Sequence, residues 1–227
     1  MVCMFCDHLW ATIVPGNPWL TYVGRLAFPI FSFLIVEGFY HTSNLKKYMG
    51  RLFIFALISE IPFNLMMGGS WFYPIHQNVL WTFLIALSLM VLHQRAKAKG
   101  TLLNILVGVL SVVLGYILGF ITFVDFFGVG VLSVLLFYFV RGTRWYHLLL
   151  QVGLLYYLNA ELLQGLFVEV RLGGVQFELV IQSLALLALI PIWLYNGKQG
   201  YYSKAFKWFK YAFYPLHMLV LSLLALF

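Results

Sequence analysis

Long apolar runs, cut at short intervals by clusters of polar and charged residues, dominate this chain. Nine can be traced: Met1–Val14, Trp19–Tyr40, Leu45–Met67, Asn78–His93, Thr101–Thr122, Val124–Val140, Arg144–Leu166, Val175–Leu194 and Ala205–Phe227. Several approach the ~20 apolar residues that cross a bilayer as a helix. Strict strand-like alternation is not evident, which favours a helical bundle over an outer-membrane barrel. The pattern predicts an all-α fold, a polytopic integral membrane bundle of about nine transmembrane helices. No long linker, low-complexity tract or internal repeat interrupts residues 1–227, which read as a single domain.

The stretch Tyr22–Leu65 departs most from a plain anchor. Its two apolar halves flank the polar turn His41-Thr-Ser-Asn-Leu-Lys-Lys47, yet they carry Arg25, Glu37, Arg51 and Glu60, with prolines at 29 and 62. Ionisable groups in hydrocarbon are expensive and usually mark a functional interior. Proline inside a helix removes one hydrogen bond and crowds the carbonyl four residues earlier, so Pro29 predicts a kink at Arg25 and Pro62 one at Ile58.

Composition agrees with this picture: 63% of the residues are hydrophobic and 9% charged. The formal charge of +7 does not indicate nucleic acid, because the basic residues sit in short connections between apolar runs. Lys46, Lys47 and Arg51 flank the second connection, Arg95, Lys97 and Lys99 fill the fourth, and Arg141 and Arg144 the sixth. Lys198, Lys204, Lys207 and Lys210 cluster at the eighth, whereas the odd connections hold only Arg171. Cytoplasmic loops carry this excess of Lys and Arg. The expectation is a bacterial cytoplasmic-membrane protein with its N-terminus inside and its C-terminus outside. Cys3 and Cys6 lack a second ligand pair and read as packed thiols, and Asp7-His8 interrupts any signal-peptide core.

Depth then becomes the useful coordinate. With ~1.5 Å of rise per residue, His8 and Arg25 each lie roughly 9 Å below the outer helix ends, and Glu60 also falls in the outer half. His76, Gln77 and Asn78, with Asp125, Glu161 and Glu178, lie towards the same side. His8 is suited to general-base work at neutral pH. Asp7 points about 100° away from it on a helix, so Asp7 is expected to pair with Arg25 across the hairpin instead. On the residues alone, a helix-stapling ion network of Asp7, Arg25 and Glu60 weighs the same as a catalytic site. His217 reads as a hydrogen-bonded core histidine, with a second acid/base group or a channel-lining residue as the alternative.

At the inner side His41, Lys46, Lys47 and Arg51 gather with Glu37. The residues leave two readings open: a positive-inside signal with Glu37 paired to a lysine, or a phosphate cradle.

Several motifs add a family resemblance. They are Asp7-His8, Gly24-Arg25-Leu-Ala-Phe-Pro-Ile-Phe-Ser-Phe-Leu, Glu37-Gly38, His41-Thr42, Lys46-Lys47-Tyr48, Arg51-Leu52, Ile58-Ser59-Glu60-Ile-Pro-Phe63 and Tyr211-Ala-Phe-Tyr-Pro-Leu-His217. On these the chain resembles the TraX family of integral membrane proteins, named for an F-pilin N-acetylase and distantly similar to membrane acyltransferases. Family members carry a full first helix with a charged leader before Asp-His, whereas here the chain opens six residues earlier, which implies a shortened start. The resemblance implies an acetyl-CoA-dependent acyltransferase with His8, Asp7, Arg25 and Glu60 as site residues. Acetyl-CoA would be the acyl donor, held by Lys46, Lys47, Arg51 and His41, with no metal. The acceptor would be an amine or hydroxyl on an extracytoplasmic protein N-terminus, peptide or glycan. A small-molecule transporter or channel, or a non-catalytic pilus-assembly protein, would also explain polar clusters at both faces.

Overall fold

The computed structural model describes residues 1–172, 174–198, 200–201 and 203–225. It is mostly helical. Among the described residues, four helical spans are long and apolar enough to cross a membrane: Trp19–His41, Leu45–Gly68, Val79–Lys97 and Thr101–Ile121. The expected count of about nine is not reached: most of the remaining apolar runs fold into shorter or irregular elements, and the long C-terminal helix Lys204–Leu224 is less apolar, carrying Lys204, Lys207 and Lys210.

Helix α1 covers Val2–Thr12, ~16 Å of rise against the ~30 Å of a hydrocarbon core. The second run is split into α2 (Trp19–Gly24) and α3 (Ala27–His41). The break falls on Arg25 and Leu26, where Pro29 was expected to disturb the ladder. Pro62, by contrast, is carried inside an unbroken α4 (Leu45–Gly68), which starts on an Asn44 cap with Lys47 N–H donating to Asn44 Oδ1 at 2.9 Å. Helices α5 (Val79–Lys97), α6 (Thr101–Ile121) and α7 (Phe127–Phe139) follow. Helix α8 (Trp145–Tyr156) widens into a π-helical stretch, Tyr157–Leu163.

The largest departure concerns the run Val175–Leu194, which is not one helix. Strands β1 (Phe167–Leu172) and β2 (Val175–Val180) form an antiparallel hairpin, so the fold is not purely α. The signal was period two: Val168 and Val170 alternate with Glu169 and Arg171, and Phe177 and Leu179 with Gln176 and Glu178. A 3₁₀ helix (Ile181–Ala188) and α9 (Leu189–Trp193) complete that run, and α10 (Lys204–Leu224) closes the chain.

Helix α7 lies at the centre, with Val131, Val134, Leu135 and Phe137 packed against Val36, Leu87, Met90, Leu155 and Leu189. Helix α6 shows the opposite pattern, burying only Ser111, Gly115 and Gly119 while exposing Leu102, Ile105, Val109 and Phe120. That apolar exterior suits lipid rather than water. Its small-residue stripe meets α7 closely, since a Cβ on Gly119 would collide with the backbone of Phe127 and Gly128. A second cluster joins Met4 of α1, Phe63 of α4, and Tyr214 and Met218 of α10.

The two ends of the bundle differ. At one, the α3–α4 and α7–α8 connections meet where Arg141 donates to Glu37 Oε1 from Nε at 3.0 Å and from Nη2 at 2.9 Å. At the other, Gln77 N–H donates to Phe123 O at 2.8 Å and Asp125 N–H to Gln77 O at 2.8 Å, joining the α4–α5 and α6–α7 connections.

Candidate functional site

Between the two hydrophobic clusters lies a chamber of about 270 Å³. Its walls are mostly aromatic and apolar, including Trp10, Phe28, Phe31, Phe63 and Tyr214, and its polar lining is Asp7, His8, Arg25, Asp125 and Gln182. Such a site, apolar with a few convergent polar groups, suits a small organic group. Three residues expected to share a layer do converge here, from α1 and the α2–α3 break.

Local packing explains how. Gly24 presses α2 against α1, and a Cβ there would overlap the side chain of Asp7. The contact sets the Asp7 carboxylate beside Arg25, which donates to Asp7 Oδ1 from Nη2, while Thr21 Oγ donates to the same oxygen at 2.8 Å. Asp7 thus pairs across the hairpin and does not orient His8, as its helical position requires.

Arg25 also donates from Nη1 to Gln182 Oε1 at 2.9 Å, and Gln182 Nε2 donates to Asn159 Oδ1 at 2.9 Å. Asn159 lies in the π-helical stretch and donates onward to Leu155 O at 2.9 Å. A continuous polar chain therefore runs from α1 to the π-helix, an irregularity often found at functional sites. Neither Gln182 nor Asn159 stood out in the sequence, because neutral amides in apolar runs give no distinct pattern.

His8 bonds to a partner from the far end of the chain. Its Nδ1 lies 2.7 Å from Nε2 of His217, whose Nδ1 lies 2.6 Å from Phe213 O. The two imidazole planes differ by 5° and their centroids are 4.9 Å apart. With the bonded nitrogens 2.7 Å apart, the remainder matches the centre-to-vertex reach of two rings, so the rings meet edge to edge. His217 is buried and hydrogen-bonded, as a core histidine should be, but its partner is the chamber histidine. The closing Tyr-Pro-Leu-His motif was its one sequence signal.

Across the chamber, Asp125 Oδ1 lies 3.2 Å from His76 Nε2. It is presented by a turn in which Phe123, Phe126 and Phe127 all have positive φ, at 52°, 60° and 48°. Non-glycine residues in that region carry of order 1–3 kcal/mol each and persist where surroundings over-determine them. Here the Gln77 bridge and Thr82 Oγ, donating to Asp125 O at 2.8 Å, hold the turn.

Other expected residues lie apart from these. Glu60 does not line the chamber; it accepts from Asn78 Nδ2 and from Trp81 Nε1, the latter at 2.9 Å, tying α4 to α5. Glu161 and Glu178 are exposed. Lys46, Lys47 and Arg51 are exposed at the opposite end, and His41 Nε2 lies 3.3 Å from Glu37 Oε2. Glu37 takes Arg141 and His41 as partners, not the lysine that was expected. Cys3 and Cys6 are free thiols.

Comparison with known proteins adds an independent line. A curated protein of Dichelobacter nodosus, described as probable fimbrial assembly protein FimC, serogroup H1, is 28% identical over 236 aligned positions. The alignment covers 97% of this chain and 90% of that protein. No solved structure matches. The family model described as TraX protein matches residues 1–225, so the chain belongs to the TraX family.

Proposed function

We propose that this protein is a membrane acyltransferase that moves an acetyl group from acetyl-CoA to an amine or hydroxyl acceptor in the chamber. The observation that carries this reading is His8. Its Nδ1 is engaged by His217, and its Nε2 makes no hydrogen bond among the described residues while the ring lines the chamber. A positioned imidazole with one free nitrogen is what a general base requires.

The acceptor's lone pair attacks the thioester carbonyl carbon as its N–H or O–H proton passes to His8 Nε2. The tetrahedral intermediate then expels the coenzyme A thiolate, breaking the C–S bond, and the thiolate takes the proton from the imidazolium. Arg25 directs three donors, Nε, Nη1 and Nη2, at Thr21 O, Gln182 and Asp7. Its first task is to lock the α1–α2 hairpin, and its two remaining N–H groups can face a developing oxyanion. At the other end, His41, Lys46, Lys47 and Arg51 would receive the phosphates of the donor. Along α4, Arg51 and Phe63 are separated by ~18 Å of helix rise, which the acyl arm would have to span. The acceptor is read as an extracytoplasmic protein N-terminus, peptide or glycan, in a protein whose basic connections face the cytoplasm.

Purified protein in lipid, supplied with isotopically labelled acetyl-CoA and an amine acceptor, should release free thiol and acetylated product. Thiol release no faster than from lipid alone would reject the reading. A second reading has its own support: the Dichelobacter nodosus relative is described as a fimbrial assembly protein. On that reading the chain acts in pilus assembly without chemistry, and a catalytically silent chamber is the expected result.

A further inference from the structure

We infer that His217 and the Phe213 carbonyl together set the tautomer of His8 and receive the charge it acquires, making His217 the positioning residue of this site. The inference rests on His8 being the base.

A carbonyl oxygen has no proton, so the 2.6 Å contact with Phe213 O requires N–H at His217 Nδ1. In neutral His217 the other nitrogen, Nε2, is then a bare lone pair. His8 Nδ1 is 2.7 Å from it, so His8 must donate there. The proton of neutral His8 is thereby assigned to Nδ1, and its Nε2 is left as the lone pair. One backbone carbonyl, through two rings, selects the tautomer that can act as base towards the chamber.

The edge-to-edge arrangement supports a second role. The planes are 5° apart, so the N–H of one ring lies in the plane of the other's lone pair, the alignment proton transfer needs. When His8 Nε2 takes a proton from the acceptor, the imidazolium can pass its Nδ1 proton to His217 Nε2. His8 is then neutral with its proton on Nε2, and His217 is the cation, still donating to Phe213 O. Reversal of both transfers returns the proton to the departing thiolate. Burial costs the His217 cation its hydration, and the Phe213 carbonyl, which accepts from Nδ1, offsets that cost.

Local structure keeps His217 in place. Met218, the next residue, is fully buried against Met4 and Phe63 and fixes the rotation of the helix. His217 does not line the chamber, so it acts through His8 and not on substrate.

The test is a magnetic-resonance reading of ring nitrogens in full-length protein carrying ¹⁵N-histidine in lipid nanodiscs, at mildly alkaline pH. His8 and His217 are assigned from single-histidine variants. The expected wild-type result is protonated Nδ1 and unprotonated Nε2 on His8, with coupling across the hydrogen bond to His217 Nε2. In His217→Leu the acceptor is gone, and His8 should shift towards the tautomer protonated on Nε2. In His217→Gln an amide oxygen can replace the acceptor, so the tautomer should hold while the onward transfer is lost. Where transfer is measurable, both variants should lower kcat on the order of 10- to 100-fold, as when the partner behind a functional imidazole is removed, with KM little changed. The pH profile should move in His217→Leu more than in His217→Gln. A wild-type His8 protonated on Nε2, or a His8 tautomer unchanged in His217→Leu, would overturn the inference. If His217→Leu does not fold, the wild-type and His217→Gln spectra decide it. An expected tautomer in a protein that transfers no acetyl would reject the acyltransferase reading and leave the pairing standing.

Discussion

Arg25 Nη1 donates to Gln182 Oε1 at 2.9 Å, a bond between residues 157 positions apart. Gln182 is buried, and its amide nitrogen is committed to Asn159, so its oxygen can only turn towards the guanidinium. Gln182→Leu would orphan Asn159 Oδ1 and one arm of Arg25 together, a loss of about 1–3 kcal/mol. Arg25→Leu should cost more, about 3–5 kcal/mol, because it strands the Asp7 carboxylate. The lower part of that range is expected, as the two side chains keep 19% and 22% of their surface exposed. Adding Asp7→Asn to Arg25→Leu should recover much of the loss. Melting temperatures in detergent measure all three, and an Arg25→Leu variant as stable as wild type would refute the staple.

For His8→Ala the expectation is a folded protein with acetyl transfer reduced 10²–10⁴-fold, roughly 3–5 kcal/mol of barrier. Among the described residues the side chain's one hydrogen bond is to His217, so truncation leaves the Asp7–Arg25–Gln182 chain untouched. Thiol release at near wild-type rate would remove His8 from the mechanism.

Gly24→Val tests whether the hairpin contact builds the site. The added Cβ would overlap Asp7, whose backbone is fixed in α1. Overpacking of this kind costs about 1–3 kcal/mol, and here it also pushes the carboxylate away from Arg25. The substitution should lower the melting temperature and transfer together. Gly16, in the α1–α2 connection, has open space around it, so Gly16→Ala is the control.

Orientation is tested by reporters. Twelve basic residues lie at the even connections and Arg171 alone at the odd ones, so the even side is expected in the cytoplasm. A single cysteine at Glu178 on β2 should react with an impermeant thiol reagent in intact cells, and one at Ser43 only after permeabilisation. The native Cys3 and Cys6 are replaced by serine for this purpose. The reverse pattern would invert the protein and move the chamber to the cytoplasmic side.

The sequence by itself determined the solvent, the helical character and three members of the site. Apolar runs of membrane length declare a bilayer protein because hydrocarbon leaves backbone groups no partner except their own helix. The positions of Asp7, His8 and Arg25 followed from helical rise near a short connection, where neighbours in sequence must be neighbours in space. Pro29 marked the break at Arg25 for the same local reason. Length alone misled for Val175–Leu194, where a two-residue period in a short apolar run outweighs total hydrophobicity. What only the tertiary structure decided is everything that joins distant segments. Glu60 was expected in the same layer but turns to Asn78 and Trp81, because depth fixes height along a helix and not the direction a side chain faces. Glu37 met Arg141 rather than the nearer lysines, and His8 met His217 rather than adjacent Asp7. Those partners depend on which helices pack together, and that choice is made by side-chain shape across the whole core.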